Sequence, residues 1–351
     1  MRRLNDQRGA TIVIVSISMV LLIGMAAFVV DVAAVYQERR ELQNGADASA
    51  FAIAEDCARG LPCTIGAAGA TAATYAAANA TDDAAGAVVA TDDFDPAGRV
   101  TVRTSTAGPD GSTAISFLFA PALDLLSGKT VTASATAIWG APSSLRTIPL
   151  AISACEWNRE TAGGTVYRSS PYDIGDEVTI MFHDGRGTDD CAAVAGMDSN
   201  GDGKLPGGFG WLVPDGSCEV LTSAVGTTDW AAGDPGVNPE CGAASLAALL
   251  GTVVAVPIFD DFCKNNAAGC PTFVQGDKYE VGRYAALYLT GYDLGGPQYE
   301  RFDPAYRSAA PDCGTQSQAD NCITGFFTTD VVDGGDLGGP NGGVFVIRLI
   351  D

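Results

Sequence analysis

The segment Asp198-Ser199-Asn200-Gly201-Asp202-Gly203-Lys204 has the composition of a cation-binding turn. Asp198, Asn200 and Asp202 place side-chain oxygens at its first, third and fifth positions, and a glycine stands at the sixth. Calcium loops begin in this way, because the glycine allows a sharp turn that brings the oxygens onto one ion. We expect no cofactor, with calcium as the one ion that this pattern could bind.

The second half of a calcium loop is missing. Phe209 stands at the twelfth position, where a bidentate glutamate is expected. Asp189, Asp190 or Asp215 could supply that ligand from nearby. An Asp- and Gly-rich surface turn without metal explains the same residues, so both interpretations stay open. In an extracellular setting we expect a weak site, with an affinity of about 10⁻⁴–10⁻³ M.

The sequence offers little for catalysis. It contains one histidine, His183, so mechanisms built on several histidines are excluded. Ser169 and Ser170 lack the GxSxG context of a nucleophile elbow. We assign no catalytic residue and expect a non-enzymatic protein. A hydrolase that uses His183 is the least favoured alternative.

The ten cysteines form no CxxC pair, which disfavours structural zinc. An even, scattered set is typical of disulfides in an oxidising compartment. Spacing does not fix the connectivity, so the pairing is a guess. The expected pairs are Cys57–Cys63, Cys155–Cys191, Cys218–Cys241, Cys263–Cys270 and Cys313–Cys322.

Composition and charge limit the partners. The chain has 351 residues, is 47% hydrophobic and carries a net charge of −22. Such a hydrophobic content supports a folded core, whereas the negative charge repels phosphate groups. We expect no nucleic-acid partner.

Residues 11–30 contain no charged side chain. Twenty apolar residues in a helix cross about 30 Å of hydrocarbon. Three arginines precede this span and two follow it closely, which weakly favours a cytoplasmic N-terminus. The cysteines favour the same orientation. We expect residues 1–10 to form a cytoplasmic tail and most of the chain to lie outside the cytoplasm.

Two features suggest that the apolar span is not cleaved from the chain. The span exceeds the roughly 7–15 apolar residues of a cleaved signal peptide, and Ile14 stands where prepilins carry a glutamate.

The helix is also expected to continue beyond the span. Apolar residues recur there at spacings of three or four, which indicates one helical face. We expect one helix over residues 9–58, with a bend near Asp31 as the alternative. The recurring residues are Leu42, Ala46, Ala50, Ile53 and Cys57.

Several motifs in this region occur together. They are Arg8-Gly9-Ala10, Val30-Asp31-Val32, Tyr36, Arg39-Arg40-Glu41-Leu42-Gln43 and Ala46-Asp47-Ala48-Ser49-Ala50. Over residues 7–56 they resemble the N-terminal segment of TadE/TadG-like Flp pilus-assembly proteins. Residues 205–212, 284–292 and 323–327 resemble parts of the larger, actinobacterial TadG-related type.

The resemblance implies a membrane-anchored, non-enzymatic component of a tight-adherence pilus or a related secretion machine. Its partners would be the lipid bilayer and other pilus-assembly or pilin-like membrane proteins. We expect Asp31 to reach the headgroup region, with pairing to a basic group on a partner as the alternative. The alternative function is a surface-anchored binding or adhesion module that calcium could stabilise, with the helix as a simple tether. The residues expected to act in the membrane or in assembly are Arg8, Gly9, Ala10, Asp31, Tyr36, Arg39, Arg40, Leu42, Gln43 and Asp47.

The rest of the chain predicts an α+β fold. Residues 31–140 would form a helical stalk with a small pilin-like α+β domain, and residues 145–351 a β-rich, disulfide-bonded domain. Residues 140–144 look like a linker, and Phe209 and Trp211 are expected in a core. In the first domain we expect a helix at 66–80, strands at 100–104 and 131–139, and a strand followed by a helix at 117–126. In the second we expect strands at 148–152, 177–182, 253–258, 279–290, 323–332 and 344–349, and a helix at 245–250.

Overall fold

A computed structural model describes most of the chain. The chain forms two compact units. The first comprises the residues up to Cys57, Pro62–Ile138 and the residues from Arg348; the second comprises Ala58–Leu61 and Trp139–Ile347. The described residues are 8–123, 127–170, 177–182, 190–193, 198–199, 201–216, 218–224, 230–236, 241–264, 276–294, 299–301 and 321–350.

The chain begins with one uninterrupted helix of 51 residues, α1 (Arg8–Ala58). The expected continuous helix is therefore confirmed, and no break occurs at Asp31. Between Ile12 and Val30 the large apolar side chains are all exposed, by 50% to 72%. Helix α1 is long and apolar enough to cross a membrane, which fits a single-pass membrane protein.

A second helix packs on the outer half of α1. Helix α2 (Ile65–Ala78) confirms the expectation for residues 66–80 and buries small side chains at four-residue spacing. The Ser49 hydroxyl donates a hydrogen bond to the Ala72 carbonyl at 3.1 Å. A Cβ atom added to Gly45 would lie 3.2 Å from the Cα of Ala76. Small residues on both helices thus permit a close approach.

The first unit also contains an antiparallel sheet in the order β1-β2-β5. Strands β2 and β5 confirm the two expected strands, whereas β1, rich in alanine and aspartate, was missed. The expectation for 117–126 is wrong at its start, because residues 117–119 are irregular and a 3₁₀ turn (Ala120–Leu123) follows. The strands are β1 (Ala85–Asp95), β2 (Arg99–Thr106), β3 (Ile115–Ser116), β4 (Gly128–Lys129) and β5 (Thr132–Gly140).

The second unit is built mainly of strands. Each of the six strands expected here overlaps an observed one. Its helices are α3 (Ala154–Thr161) and α4 (Ala243–Ala247). The remaining strands are β6 (Pro142–Thr147), β7 (Leu150–Ser153), β8 (Val178–Met181), β9 (Cys191–Ala192), β10 (Lys204–Leu205), β11 (Phe209–Leu212), β12 (Val220–Ser223), β13 (Trp230–Asp234), β14 (Val253–Cys263), β15 (Lys278–Asp293), β16 (Tyr299–Arg301), β17 (Cys322–Thr328), β18 (Asp330–Val331), β19 (Asp336–Leu337) and β20 (Val344–Ile350).

The main sheet of this unit closes on itself. Its order is β13-β11-β7-β14-β15-β17-β8, and β13 also pairs with β15. Phe209 and Trp211 are buried in its core with ring centroids 5.8 Å apart, as expected. The expected linker at 140–144 is wrong, because β6 begins at Pro142 and pairs with β12 and β19.

Disulfides link residues within each unit. Cys57–Cys63, Cys155–Cys191 and Cys218–Cys241 are bonded, and they are three of the five pairs suggested by the sequence. Cys263 and Cys322 are also disulfide-bonded. Their suggested partners, Cys270 and Cys313, lie outside the described residues. Those two pairings stay predictions.

A buried carboxylate lies at an irregularity between β14 and β15. The register shifts around Asp260, which is 4% exposed. Its Oδ1 has no hydrogen-bond partner among the described residues. A side chain at Gly282 would collide with this carboxylate. Burial raises the pKa of Asp260 from 3.8 to about 6; Arg283 opposes the shift and Asp261 adds to it.

We expect Gly45→Leu to lower the free energy of unfolding by about 1–3 kcal/mol, because the new side chain must push α2 away from α1. Gly69→Leu is the matched control, since no atom lies within 4 Å of a Cβ added there. It should be neutral or slightly stabilising, because glycine is a poor helix former. Thermal unfolding of the full chain in detergent measures both, and equal shifts would contradict the packing described.

We expect Asp260→Asn to stabilise the protein at pH 8 by about 1–3 kcal/mol. As the pH rises from 4 to 6, the unfolded chain loses this proton before the folded one, so the parent loses stability. The asparagine variant avoids that loss, and its advantage should shrink at pH 4.5. Thermal unfolding at the two pH values tests this. An equal advantage at both would contradict the assignment.

Asp215→Asn is the control for this pH dependence. Asp215 is an exposed carboxylate whose side chain accepts a hydrogen bond from Arg146 at 2.5 Å. That hydrogen bond lowers the pKa of Asp215. Its removal should therefore give no gain in stability at pH 8.

Candidate functional site

Helix α1 changes character at Asp31. The side chains of residues 11–30 are exposed or half-exposed around the whole helix, whereas those of the outer half are buried along one face. Leu42, Ala46, Ala50 and Ile53 are buried, as their spacing predicted. Asp31 therefore marks the point at which α1 joins the folded unit.

The Asp31 carboxylate is held by backbone N–H groups of a distant loop. It is 6% exposed. Leu118 N donates to Oδ1 at 2.8 Å, and Phe119 N and Ala120 N donate to Oδ2 at 3.1 and 2.7 Å. Successive N–H groups of this kind form an anion-binding nest. The Asp31 oxygens are engaged within the protein, and the expectation that Asp31 reaches the headgroup region stays a prediction.

Two further contacts fasten α1 to the sheet of the first unit. The Thr104 hydroxyl on β2 donates to the Leu42 carbonyl at 2.9 Å. Gln43 Nε2 donates to Asp47 Oδ1 at 2.8 Å and to the Ser134 carbonyl on β5 at 3.2 Å. Leu42, Gln43 and Asp47, which the sequence singled out for assembly, therefore contribute to the internal structure of the unit.

A fourth contact joins α1 to the segment after α2. The Glu41 carboxylate accepts hydrogen bonds from the Thr81 amide at 3.0 Å and from the Thr81 hydroxyl. Gln37 donates to the same carboxylate at 3.0 Å. Burial acts to raise the pKa of Glu41, but these hydrogen bonds outweigh it and lower the pKa. Glu41 is thus held as a carboxylate at neutral pH.

Another set of predicted residues is exposed. Tyr36 is 67% exposed, and Arg39 and Arg40 are exposed as well. The packing of the first unit therefore leaves an aromatic ring and two cations on the outer half of α1 accessible to solvent. Arg8, Gly9 and Ala10 begin the helix, but their side chains are outside the described part of the chain.

Arg39 also lines an open groove in the first unit. The groove has a volume of about 540 Å³, and Arg103 on β2 contributes a second cation. Arg103 lies 3.9 Å from Asp92 and its side chain is 60% exposed. Sequence reasoning missed Arg103. Arg103 is paired with Val88 on β1 and with Ser134 on β5. The sequence does not show this pairing, because strand register is a long-range property.

Residues 9–54 match the family described as "Putative Flp pilus-assembly TadE/G-like". The resemblance inferred from the sequence is confirmed over these residues, which are a small part of the 351-residue chain. They coincide with α1 and include Asp31 and the exposed Tyr36, Arg39 and Arg40. The actinobacterial TadG-related type stays a prediction. No curated protein and no solved structure gave a match.

The expected calcium loop connects β9 to β10, and its carboxylates serve the turn itself. Asp198 accepts hydrogen bonds from the amides of Asp202 and Gly203, and Asp202 accepts one from the Lys204 amide. Asn200 and Asp189 are outside the described residues, and Asp215 binds Arg146. Within the described ranges no three His, Cys, Asp or Glu side chains could hold a metal ion together. Calcium binding stays a prediction.

His183, the centre of the hydrolase alternative, also lies outside the described residues. Ser169 and Ser170 lie in irregular chain after α3. The hydrolase alternative therefore stays untested.

We expect Asp31→Ala to accelerate amide hydrogen exchange at Leu118, Phe119 and Ala120 by about tenfold or more, because these groups lose a charged acceptor. Hydrogen exchange of the full chain in lipid nanodiscs measures this. Asp47→Ala is the control, since Asp47 accepts a side-chain hydrogen bond from Gln43 and should leave the loop unchanged. Unaltered exchange in Asp31→Ala would contradict the nest.

Proposed function

We propose that the chain is a membrane-anchored, non-enzymatic component of Flp pilus assembly or of related secretion machinery. In this proposal the N-terminus is cytoplasmic and most of the chain lies outside the cytoplasm. Helix α1 anchors the chain and recruits other pilus proteins through its exposed outer surface. The family match over residues 9–54 is the observation that carries the proposal.

The continuity of α1 supports a role beyond tethering. A flexible linker would isolate the folded unit from movements of the membrane span. Here the span and the outer half are one helix, and Asp31, Leu42 and Gln43 fasten it to the first unit. A partner that binds the span or the outer half would therefore also fix the position of the first unit.

The exposed side chains of α1 suit protein recognition. Tyrosine and arginine are the residue types enriched at the energetic centre of protein interfaces. Tyr36 and Arg39 lie three residues apart and Arg40 follows, so Tyr36 and Arg40 share one face of the helix. The positive charge of Arg39 and Arg40 contrasts with the net charge of −22 of the whole chain. We infer that an acidic or aromatic surface on a partner binds there.

Other functions receive less support. Proteins of the TadE/G-like family are generally non-enzymatic, which supports the non-enzymatic part of the proposal. The second candidate, an adhesion module with the helix as a simple tether, is not favoured by the family match. It makes a different prediction about the span, because a tether can be exchanged without loss of function.

We expect the combined variant Tyr36→Ala, Arg39→Glu, Arg40→Glu to lose pilus assembly when it replaces the parent protein in a deletion strain, with pili per cell reduced at least tenfold. The control carries Tyr75→Ala, Lys129→Glu and Lys204→Glu. It has the same change in charge, at exposed positions outside α1. Electron microscopy counts the pili, and immunoblotting of membranes checks the amount of each protein.

An anchor exchange separates this proposal from the tether. Residues 11–30 are replaced with an unrelated transmembrane helix of equal length. Loss of pili supports a specific role of α1. Full assembly with the exchanged anchor, together with normal assembly in the surface variant, would contradict the proposal and favour a tether.

A further inference from the structure

The loop held by Asp31 is unusually apolar and exposed. Residues 117–123 have the sequence FLFAPAL and contain no polar side chain. Leu118 is 73% exposed, which is as much as any large apolar side chain of the membrane span, and Phe119 is 37% exposed. Burial of apolar surface is favourable by about 25 cal/mol per Å². These side chains therefore need a covering surface.

The position of the loop along α1 identifies that surface. Asp31 follows directly after the last residue of the span, which is a rise of about 1.5 Å along the helix. The loop amides lie within hydrogen-bond distance of its carboxylate. Leu118 and Phe119 are therefore fixed at the level where hydrocarbon gives way to headgroups.

The backbone N–H groups of this loop are paired within the protein, as a region with little water requires. Phe117 N donates to the Ser127 carbonyl at 3.1 Å, and the next three N–H groups donate to Asp31. Pro121 follows and has no N–H group. Five consecutive residues thus have no free N–H donor. An unpaired backbone N–H group is costly next to hydrocarbon, and the pairing of these donors removes that cost, whereas a loop facing water needs no such arrangement.

We propose that residues 117–121 form a second membrane contact, which inserts Leu118 and Phe119 into the interface of the bilayer beside α1. Asp31 is the positioning residue, because its carboxylate satisfies the backbone and sets the depth of the loop. This second contact would fix the rotation of α1 about its own axis. A single helix can rotate freely in the membrane, whereas a helix and a loop together determine which way Tyr36, Arg39 and Arg40 face. The inference rests on the membrane anchoring proposed above.

Depth-dependent fluorescence quenching tests this contact. The full chain carrying Leu118→Trp is reconstituted in phosphatidylcholine vesicles, with or without lipids brominated at the upper part of the acyl chain. Val88→Trp is the matched control. Val88 is 66% exposed in the same unit and lines the groove with Arg39, eight residues, or about 12 Å, beyond Asp31. Emission of the parent, which has four tryptophans, is subtracted.

We expect brominated lipid to reduce the emission of the indole introduced at position 118 about twofold, and to leave that at position 88 unchanged. Acrylamide in the water should quench the two in the opposite order. Adding Asp31→Ala to Leu118→Trp should weaken the lipid quenching, because the loop is no longer held at the membrane edge.

Equal quenching of the two variants by brominated lipid would overturn the proposal. An indole at position 118 that is shielded from both brominated lipid and acrylamide would overturn it too, because a protein partner or a second copy of the chain would then cover the loop. Flotation of the same vesicles tests the membrane anchoring independently of the loop contact. If the chain floats with the lipid but the loop is not quenched, the anchoring stands and the loop contact fails. If the chain does not float, both fail.

Discussion

The organisation of the first unit depends on one carboxylate at the edge of the membrane span. A buried carboxylate is costly unless its charge is compensated, and Asp31 is 6% exposed. Asp31 is compensated by three backbone N–H groups from a loop about 87 residues further along the chain. The same contact lies where the apolar part of α1 ends, and it fixes the loop at 117–121 to the helix. An alanine at position 31 would release that loop, whereas Thr104 and Gln43 would still hold α1 to the sheet.

Helix α1 has different surroundings on the two sides of Asp31. Before Asp31 in the chain, apolar side chains are exposed on every side of the helix. After it, Leu42, Ala46 and Ile53 are buried along one face. The hydrogen-bonded helix passes from one environment to the other without a break. That continuity is the physical basis for assigning α1 a role in assembly.

Local patterns in the sequence predicted much of this arrangement. Hydrophobic periodicity gave the length of α1 and its buried face, and alternation gave most of the long strands. The partner of Asp31 could not be predicted, because backbone N–H groups leave no trace in a sequence and the contact is long-range. Strand β1 was missed since its aspartates resemble a loop, and residues 140–144 resemble a linker although β6 begins among them. The exposure of Arg103 beside α1 likewise depends on strand register.

The central claim is that the outer half of α1 contacts other pilus proteins. Site-specific photocrosslinking from Arg39 in intact membranes of the native host tests it most directly, with a photoreactive amino acid at that position and, as a control, at Tyr75 on α2. We expect a defined adduct from position 39 that mass spectrometry identifies as another pilus-assembly protein, and no such adduct from position 75. Crosslinking from position 39 to lipid alone, or the same adducts from both positions, would contradict it.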